Sequence, residues 1–435
     1  MRCPGSLVVI AVLLWDGQCR AVDWPQWRGS NANDIADEPS GWPKAWPPKM
    51  LWTAEMGLGC ATPIIADGRL YVMGWTANAP GRPTGNPPGT DSLWCLDPAT
   101  GKTLWKQSYP SLCQGRLREG DLNQYGGPNG APAFDPASGL ICTLGGDGDL
   151  RCWDTRQTGK LAWQLNLYES FNVPQRPHTG KGLRDYGYTS SPLLHGPWVI
   201  IEVGAKEGTV IAFDRKTGKV AWKSQHTEPA GFTGGSAIFQ VEGKDCLAVF
   251  TVEHILVLRL DPGHEGKTVG TFHWRTDFAC HVASPTPVGS SLLITSTHNQ
   301  RRLALLDVTL AGITERWSSK RYAVVCSPVV HKGRIYLVNN ALECLDLKTG
   351  ELLWRGGRFG NGSCLVTADD KVLAFGSGTL ALVDASAGQA EYKPLAEVTD
   401  IVPDICYPRV VLSNGRIFCK DRSGRLVCFS LASPQ

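Results

Sequence analysis

The chain has 435 residues, a formal net charge of +3 and 19% charged residues, a charged share below the roughly 25% of an average soluble domain. Its 49 glycines and 29 prolines indicate many turns, yet together they stay below the share typical of low-complexity chains, about 25–30%. The composition therefore excludes a disordered chain and a long helical bundle, and the small net charge gives no indication of nucleic-acid binding.

The N-terminus is typical of an export signal. Arg2 precedes a short apolar run, 6–15, which is too short to cross a membrane as a helix. A passable cleavage site ends at Ala21, so we predict a signal peptide over 1–21. No other apolar run approaches membrane-spanning length. The sequence therefore predicts an exported protein, periplasmic or extracellular, without a transmembrane segment.

A leader rich in Trp and Pro, 22–49, follows the predicted signal peptide. Four of the sixteen Trp lie within it. This segment is too apolar to remain free in solvent, and we expect it to pack on the flank of the domain that follows.

A repeated segment dominates the rest of the chain. Asp97–Trp105 has the pattern Asp-x-x-Thr-Gly-Lys-x-x-Trp, and this pattern returns at Asp214–Trp222 and, with Glu for Lys, at Asp346–Trp354. Looser copies bring the aromatic spacing to between 37 and 59 residues. A period of this size indicates a solenoid or a propeller. The turn chemistry fits a tight hairpin, because Asp accepts from nearby backbone N–H groups and Gly adopts positive φ without strain.

Each repeat contains four short runs of strand-forming residues, which we name A, B, C and D. The A runs begin at residues 62, 131, 191, 236, 284, 327, 363 and 407, which makes eight repeats. The last repeat lacks a D run, whereas Met50-Leu51-Trp52 is a D run without a repeat of its own. A ring closed by this early strand would hide all sheet edges. We therefore predict an all-β fold over 50–435, an eight-bladed β-propeller of four-stranded antiparallel blades.

The aromatic residue that ends each repeat is predicted to dock one blade on the next. A buried indole contributes roughly 2–3 kcal/mol and can donate its N–H to a carbonyl. The predicted docking residues are Trp52, Trp105, Trp163, Trp222, Trp274, Trp317, Trp354 and Tyr392.

The fifteen cysteines do not follow the pattern of a disulfide scaffold. Cys95, Cys152, Cys344 and Cys428 occupy the same place in different repeats, and equivalent positions in separate blades cannot all lie within bonding distance. We predict that they are small buried strand residues.

These repeats resemble the pyrroloquinoline quinone (PQQ) repeat, whose motif AxDxxTGKxxW is matched best at Ala212–Trp222. That repeat occurs in quinoprotein alcohol dehydrogenases and in BamB-type scaffolds of outer-membrane assembly. The leader Asp23–Gly29 also resembles the start of secreted propellers of planctomycete-type bacteria. The resemblance implies the propeller fold and leaves the function open.

The resemblance to quinoproteins implies PQQ, Ca²⁺ and a pair of adjacent, disulfide-bonded cysteines. This chain has no Cys–Cys dipeptide, and no Asp/Asn/Glu set in it can be matched to the metal ligands of those enzymes. We therefore expect no catalytic, cofactor-binding or metal-binding residues and no cofactor, with PQQ and Ca²⁺ kept as the alternative.

Three long insertions, 75–91, 107–130 and 168–189, fall in B–C or D–A connections, which share one face of a propeller. Long loops are often functional, although a solvated rim is an equal alternative. Small polar residues where the A runs begin are interpreted as fitting the crowded axis. The candidate binding surface consists of Trp75, Tyr125, Arg184, Asp185, Tyr186, Tyr188, His281, Tyr407 and Arg409.

Three functions remain open from the sequence. The first is an exported non-enzymatic scaffold that holds a protein partner or an extracellular ligand on its loop-rich face. The second is a degenerate periplasmic quinoprotein oxidoreductase that depends on PQQ and Ca²⁺. The third is a carbohydrate-associated binding module, for which Trp75 and Tyr125 would supply the exposed aromatic rings.

Overall fold

The computed structural model describes residues 22–79, 85–117, 125–180, 184–386 and 388–431. The predicted signal peptide and its cleavage site lie outside the described residues, as do parts of the three long insertions. The described chain forms eight antiparallel sheets of the same pattern and one short parallel pair. The predicted all-β, eight-bladed propeller is confirmed.

Strands are numbered along the chain, and each blade runs from its inner A strand to its outer D strand. Blade one contains β2 (Ile64–Ala66), β3 (Arg69–Ala77), β4 (Pro88–Leu96) and β5 (Thr103–Leu112). Blade two contains β6 (Ala133–Asp135), β7 (Leu140–Leu144), β8 (Asp149–Asp154) and β9 (Lys160–Asn166). Blade three contains β10 (Leu193–His195), β11 (Trp198–Ala205), β12 (Gly208–Asp214) and β13 (Val220–Lys223). Blade four contains β15 (Ala237–Val241), β16 (Lys244–Phe250), β17 (His254–Arg259) and β18 (Thr268–His273).

The second half of the ring repeats this order. Blade five contains β20 (Thr286–Val288), β21 (Ser291–Ser296), β22 (Arg302–Thr309) and β23 (Gly312–Ser319). Blade six contains β24 (Val329–His331), β25 (Arg334–Asp346), which spans both the B and C positions, and β26 (Leu352–Gly360). Blade seven contains β27 (Ser363–Val366), β28 (Lys371–Gly376), β29 (Thr379–Asp384) and β30 (Pro394–Val398). Blade eight contains β31 (Val411–Ser413), β32 (Arg416–Lys420), β33 (Arg425–Ser430) and β1 (Lys49–Glu55).

Few other regular elements occur in the described chain. The parallel pair joins β14 (Phe232–Thr233) to β19 (Cys280–His281). One five-residue helix, α1 (Leu167–Phe171), follows blade two, and two 3-10 turns cover Thr155–Gln157 and Asp277–Ala279.

Strand β1 closes the ring as the sequence predicts. It pairs antiparallel with β33, and Trp52 lies opposite Cys428. The outer strand of blade eight therefore comes from the segment that precedes blade one, and pairing within this sheet holds the circle of blades closed.

The turn between the C and D strands has the predicted chemistry. In blade three, the Asp214 carboxylate accepts from the backbone N–H groups of Lys216 at 3.2 Å and Thr217 at 2.8 Å. The Thr217 hydroxyl donates to the same oxygen at 2.8 Å, and these bonds lower the pKa of Asp214. The glycine of the motif has positive φ, as at Gly350, where φ is +72°. This local geometry returns the chain sharply into the D strand.

Six tryptophans occupy one equivalent position on the D strands, opposite the last C-strand residue before a bulge. These are Trp52, Trp105, Trp163, Trp222, Trp317 and Trp354. Three of the indoles donate to a carbonyl in the turn of the following blade, for example Trp163 Nε1 to Arg215 O at 2.8 Å. Each such ring also lies against the turn glycine of that blade, so the docking contact is both apolar and hydrogen-bonded.

Trp274 lies outside this series. In blade four the equivalent position, opposite Val257 and before the bulge, is Gly270. Trp274 follows the D strand, is fully buried, and donates its indole N–H to Ser296 Oγ at 2.9 Å. It joins blade four to blade five by a different route from the docking residues.

Tyr392 also lies outside the series. Blade seven has Ala396 at the docking position, opposite Leu382. Tyr392 sits in the C–D turn, with its ring centroid 6.1 Å from that of Trp354 in blade six. The sequence pattern correctly found an aromatic residue near the end of blades four and seven. The C–D turns of these blades are longer than in the other blades, so neither Trp274 nor Tyr392 lies at the docking position of its D strand.

Hydroxyl groups at the starts of the A strands form a second set of ties, near the axis. Thr62, Ser191, Ser327 and Ser363 accept from the backbone N–H groups of Arg409, Ala131, Ser284 and Val410, at 2.9–3.0 Å. Each bond joins neighbouring blades. The small residues expected to fit the crowded axis thus also satisfy backbone groups that no strand partner reaches.

The structure corrects one expectation for the cysteines. Cys152 forms a disulfide with Cys142, which lies directly opposite it on the neighbouring strand. Cys95, Cys344 and Cys428 are buried strand residues, as predicted. The cross-strand neighbour of Cys95 is Tyr71 and that of Cys428 is Phe418, so the repeat position alone does not create a disulfide.

The docking contact gives a test with a matched control. A Cβ added at Gly350 would lie 2.5 Å from the Trp317 ring, whereas one added at Gly333, where φ is +75°, meets no atom within 4 Å. Both Gly→Ala changes cost about 1–2 kcal/mol because the backbone is left-handed. Overpacking should cost Gly350→Ala a further ~1–3 kcal/mol. Urea unfolding followed by Trp fluorescence measures the difference, and equal midpoints for the two variants would contradict the docking role of Trp317.

Candidate functional site at the channel mouth

The leader crosses the central channel rather than packing on the flank. Its backbone pairs with the inner strand of blade one, where Trp24 N donates to Ile65 O at 2.8 Å. Farther along it pairs with the inner strand of blade seven, where Ala36 N donates to Val366 O at 2.8 Å. Pro25 O accepts from the inner strand of blade two as well. Arg28 of the same segment contacts Pro285 O and Pro328 O beside the inner strands of blades five and six, which lie opposite blades one and two in a ring of eight, so the segment lies across the axis.

A buried charge cluster holds the leader in the channel. The Asp34 carboxylate accepts from Arg28 Nε at 2.5 Å, within the leader itself. It also accepts two bonds from Arg409 of blade eight, through Nε and Nη2, both at 2.7 Å. All three side chains are at most 2% exposed. A bidentate guanidinium–carboxylate pair fixes both distance and orientation, so Asp34 can occupy one place in the channel.

Neutral acceptors satisfy the rest of this cluster. Arg28 donates to the carbonyl of Pro328 at 2.9 Å and to that of Pro285 at 3.3 Å, directly before the inner strands of blades six and five. Burial lowers the pKa of Arg28, although the Asp34 charge opposes this shift. Charges taken out of water are tolerated only when their hydrogen bonds are met, and here backbone carbonyls of the channel wall meet them.

A cavity of about 250 Å³ opens above this cluster, on the face of the D–A and B–C loops. Its lining consists of Trp27, Cys60, Tyr125, Asn129, Arg184, Tyr186, Thr189, Phe232, Thr233, Gly234, Phe278, Cys280, Val282, His298, Val324, Val325 and Tyr407. Trp27 comes from the leader and lies at the inner end, where its indole N–H donates to Ser284 Oγ at 3.0 Å. The guanidinium of Arg409 lies 5.4 Å from the Trp27 ring. The charge cluster therefore supports the ring that ends the cavity.

Aromatic rings on the loops pack against one another around the mouth. Tyr125 stacks on Tyr407, with centroids 5.7 Å apart and planes 7° apart. Tyr186 meets Tyr125 edge to face at 5.9 Å and Phe232 at 5.0 Å. These contacts join loops from blades on different sides of the channel. The rings hold one another, so the cavity has a formed apolar wall.

The described lining carries one formally charged side chain. The Arg184 guanidinium lies over the Phe278 ring at 4.6 Å, and burial lowers the pKa of His298. No carboxylate belongs to the described lining. A neighbouring cavity of about 320 Å³, which shares Tyr407, contains Asp404, and Arg422 pairs with that carboxylate at 2.9 Å.

Four of the predicted surface residues line the cavity: Tyr125, Arg184, Tyr186 and Tyr407. The other five are buried elsewhere: Trp75, Asp185, Tyr188, His281 and Arg409. All nine predicted residues were chosen because their sequence positions lie in or beside the connections of the loop-rich face. Only the tertiary structure separates side chains that face the cavity from those that support the loops.

The buried members have structural contacts. Asp185 pairs with Arg176 at 2.9 Å, and the Tyr188 hydroxyl donates to Val203 O at 2.9 Å. His281 stacks on Phe250 with centroids 4.8 Å apart, and burial lowers its pKa to about 4, which makes the imidazole neutral near pH 7. Trp75 is 2% exposed within β3. These contacts hold the loops and strands beneath the mouth.

Sequence reasoning missed the leader's contribution to the site. Trp27, Arg28 and Asp34 were not among the candidates because the leader was expected on the flank. The sequence feature that could have indicated this role is the close spacing of Trp24, Trp27, Arg28 and Asp34 within the leader. A second missed group is Glu202, whose Oε2 accepts from the Thr233 hydroxyl at 2.7 Å, behind the cavity wall.

The family comparison identifies the chain's relatives. The sequence profile described as outer membrane protein assembly factor BamB matches residues 114–224 and 253–435. These ranges cover more than half of the 435 residues. The chain belongs to this family.

Two curated sequences are also similar. The dehydrogenase subunit of quinone alcohol dehydrogenase from Komagataeibacter europaeus is 30% identical over 183 residues, and the same subunit from Gluconacetobacter polyoxogenes gives the same figures. Each alignment covers 40% of this chain and 21% of the relative. The chain spans about a fifth of the length of these relatives.

Solved structures agree on the fold. BamB from Moraxella catarrhalis superposes with a TM-score of 0.55 at 14% identity, over 88% of this chain and 99% of the other. Quinohemoprotein alcohol dehydrogenase from Comamonas testosteroni superposes with a TM-score of 0.65 at 14% identity, over 95% and 81%. At such identities the likeness concerns the propeller architecture.

The cavity residues do not fit PQQ with Ca²⁺. Calcium takes six to eight oxygen ligands, and carboxylates are usually among them. The described lining contains no carboxylate. Across the described ranges, no group of three or more His, Cys, Asp or Glu could hold a metal ion. The donor set therefore suits an apolar ligand better than a metal–quinone pair.

One further observation concerns membranes. Within the described part of the chain, no helix is long and apolar enough to cross a bilayer.

The charge cluster makes a sharp prediction about Asp34. Asp34→Asn keeps the side-chain shape but leaves two buried guanidiniums without their carboxylate, which should cost about 3–5 kcal/mol of unfolding free energy. The matched control is Asp37→Asn, an exposed position in the same segment. Urea unfolding gives the free energies, and limited proteolysis should cleave the leader of Asp34→Asn first. Equal stability of both variants would contradict the anchoring role.

Glu202 makes a prediction about pH. Burial raises its pKa from 4.5 to about 7, and the hydrogen bond from Thr233 only partly opposes this. The unfolded chain releases this proton near pH 4.5, so between about pH 4.5 and 7 the unfolding free energy should fall as pH rises, by up to ~1.4 kcal/mol per pH unit. Glu202→Gln should flatten the profile, whereas Glu391→Gln, at an exposed site, should not. Unfolding midpoints from pH 4 to 8 test this, and parallel profiles for all three proteins would contradict it.

Proposed function

We propose that this protein is an exported binding module that holds a partner protein at its channel mouth, with an apolar or aromatic group of the partner seated in the cavity. The observation that carries this proposal is the cavity of about 250 Å³ walled by the rings of Trp27, Tyr125, Tyr186 and Tyr407. Such a volume is slightly below the ~300–1,000 Å³ of most small-molecule pockets, and it suits one or two large side chains.

The surroundings of the cavity favour a macromolecular partner. Several D–A loops converge on this face, and aromatic residues with an Arg at the centre are typical of interface hot spots. Arg184 is the one formally charged side chain of the described lining, and its guanidinium lies over the Phe278 ring at 4.6 Å. A partner that places an apolar side chain in the cavity would match this aromatic lining.

The second candidate is a quinoprotein oxidoreductase. The observation that favours it is the 30% identity to quinone alcohol dehydrogenase subunits over 183 residues. The donor set at the mouth favours it less, because no described lining residue could hold Ca²⁺ by a carboxylate. The hypothesis of a carbohydrate-binding module rests on the rings of Trp75 and Tyr125. Trp75 is buried, so only Tyr125 of these two rings lines the cavity, which weakens this hypothesis.

Photo-crosslinking tests the binding proposal. A photoreactive phenylalanine derivative would replace Val324, a half-buried cavity residue, or Val220, which is 44% exposed on the outer strand of blade three. In cells of the native host, position 324 should give a discrete protein adduct that position 220 does not. No adduct at 324, or the same adducts at both positions, would count against binding at the mouth.

A cofactor titration of the same purified chain separates the two candidates. We expect no uptake of PQQ at high micromolar concentration, with or without Ca²⁺, by heat release or quinone absorbance. Tight, one-to-one, Ca²⁺-dependent uptake would overturn the proposal in favour of the oxidoreductase.

A further inference from the structure

Two cysteines face each other across the junction of blades six and seven, at the channel wall. The Sγ atoms of Cys326 and Cys364 are 3.9 Å apart, and neither residue is exposed. Cys326 precedes the inner strand of blade six, and Cys364 lies in β27, the inner strand of blade seven. A disulfide has its sulfurs about 2.05 Å apart, so small side-chain rotations would bring these atoms into bonding range.

The position of this pair matches the hydroxyl ties between other blades. Ser327 and Ser363, the direct sequence neighbours of the two cysteines, each accept a backbone N–H from an adjacent blade, at 3.0 Å. Those bonds join blades five to six and seven to eight. Between blades six and seven, the corresponding inner contact brings the two thiols together. A covalent bond here would continue the same inner belt.

The charge cluster that anchors the leader also lies against these cysteines. Arg409 Nη2 approaches Ser327 O at 3.4 Å and Cys364 O at 3.5 Å. The hydrogen bond from the Cys364 thiol, assisted by the positive charge of Arg409, lowers the pKa of Cys326 despite its burial. A thiolate is the attacking species in disulfide formation, so Cys326 is placed to act as the nucleophile.

We propose that Cys326 and Cys364 form a disulfide that joins blades six and seven at the channel wall. The oxidant is a disulfide-bearing protein or small molecule in the compartment where the chain folds. The Cys326 thiolate attacks one oxidant sulfur and releases the other as a thiolate, which leaves a mixed disulfide. The Cys364 thiolate then attacks Cys326 Sγ in that mixed disulfide and releases the remaining oxidant sulfur as a second thiolate. The two thiols lose two protons and two electrons, and the oxidant leaves as two thiols. Because both cysteines are buried in the folded chain, the exchange takes place during folding, before these side chains are closed off from the oxidant.

Peptide mapping tests the proposed bond directly. The full exported chain is unfolded, refolded in a buffer of oxidised and reduced glutathione, then denatured with N-ethylmaleimide and digested. Mass spectrometry without reductant should recover Cys326 and Cys364 in one linked peptide that separates on reduction. Recovery of both residues alkylated, or of either one linked to a third cysteine, would overturn the proposal.

A thiol count gives an independent result with a matched control. In the bonded wild type neither Cys326 nor Cys364 counts as a free thiol, and Cys326→Ser would free Cys364, so the number of free thiols in denaturant should be higher by one than that of the wild type. Cys344→Ser removes a buried cysteine that is free in the same blade, so its count should be lower by one. A Cys326→Ser count that is also lower by one would overturn the proposal, and this readout does not require the variants to be fully stable.

Discussion

The carboxylate of Asp34 between two guanidiniums is the contact on which the centre of this molecule depends. Arg28 belongs to the same segment as Asp34, whereas Arg409 belongs to the last blade. The three charges are out of water, so Asp34 cannot leave the cluster without leaving both guanidiniums without their carboxylate, at a cost of several kcal/mol. The cluster thereby fixes the leader across the channel, and with it the ring of Trp27 that ends the cavity at the mouth.

Around this centre, two concentric sets of contacts hold the blades. The outer set is apolar, where an indole such as that of Trp163 covers the turn of the following blade. The inner set is polar, where hydroxyls such as that of Ser327 accept backbone N–H groups from the neighbouring blade. The outer contacts bury apolar surface between neighbouring blades. The inner contacts satisfy backbone N–H groups near the axis that have no strand partner. Blades four and seven lack the outer indole and have Gly270 and Ala396 in its place.

The same scaffold serves proteins with different roles, so the chemistry of the mouth has to decide between them. Here the loops bring together aromatic rings, one guanidinium from Arg184 and no described carboxylate. An apolar cavity without hard oxygen ligands suits the docking of a side chain better than the binding of a divalent cation. Asp185 and His281 are buried beneath the loops, so they add no charge to the lining of the mouth.

The sequence by itself determined the number of blades, the order of the strands and the closure by the segment around Trp52, because these follow from local periodicity and turn chemistry. It also located the loops that supply Tyr125, Arg184, Tyr186 and Tyr407 to the mouth. Only the tertiary structure decided which loop residues face the cavity, that Cys152 bonds to Cys142, and that the leader lies across the channel. These outcomes depend on contacts between residues as distant in sequence as Asp34 and Arg409, and such contacts leave no local pattern for a single sequence to show.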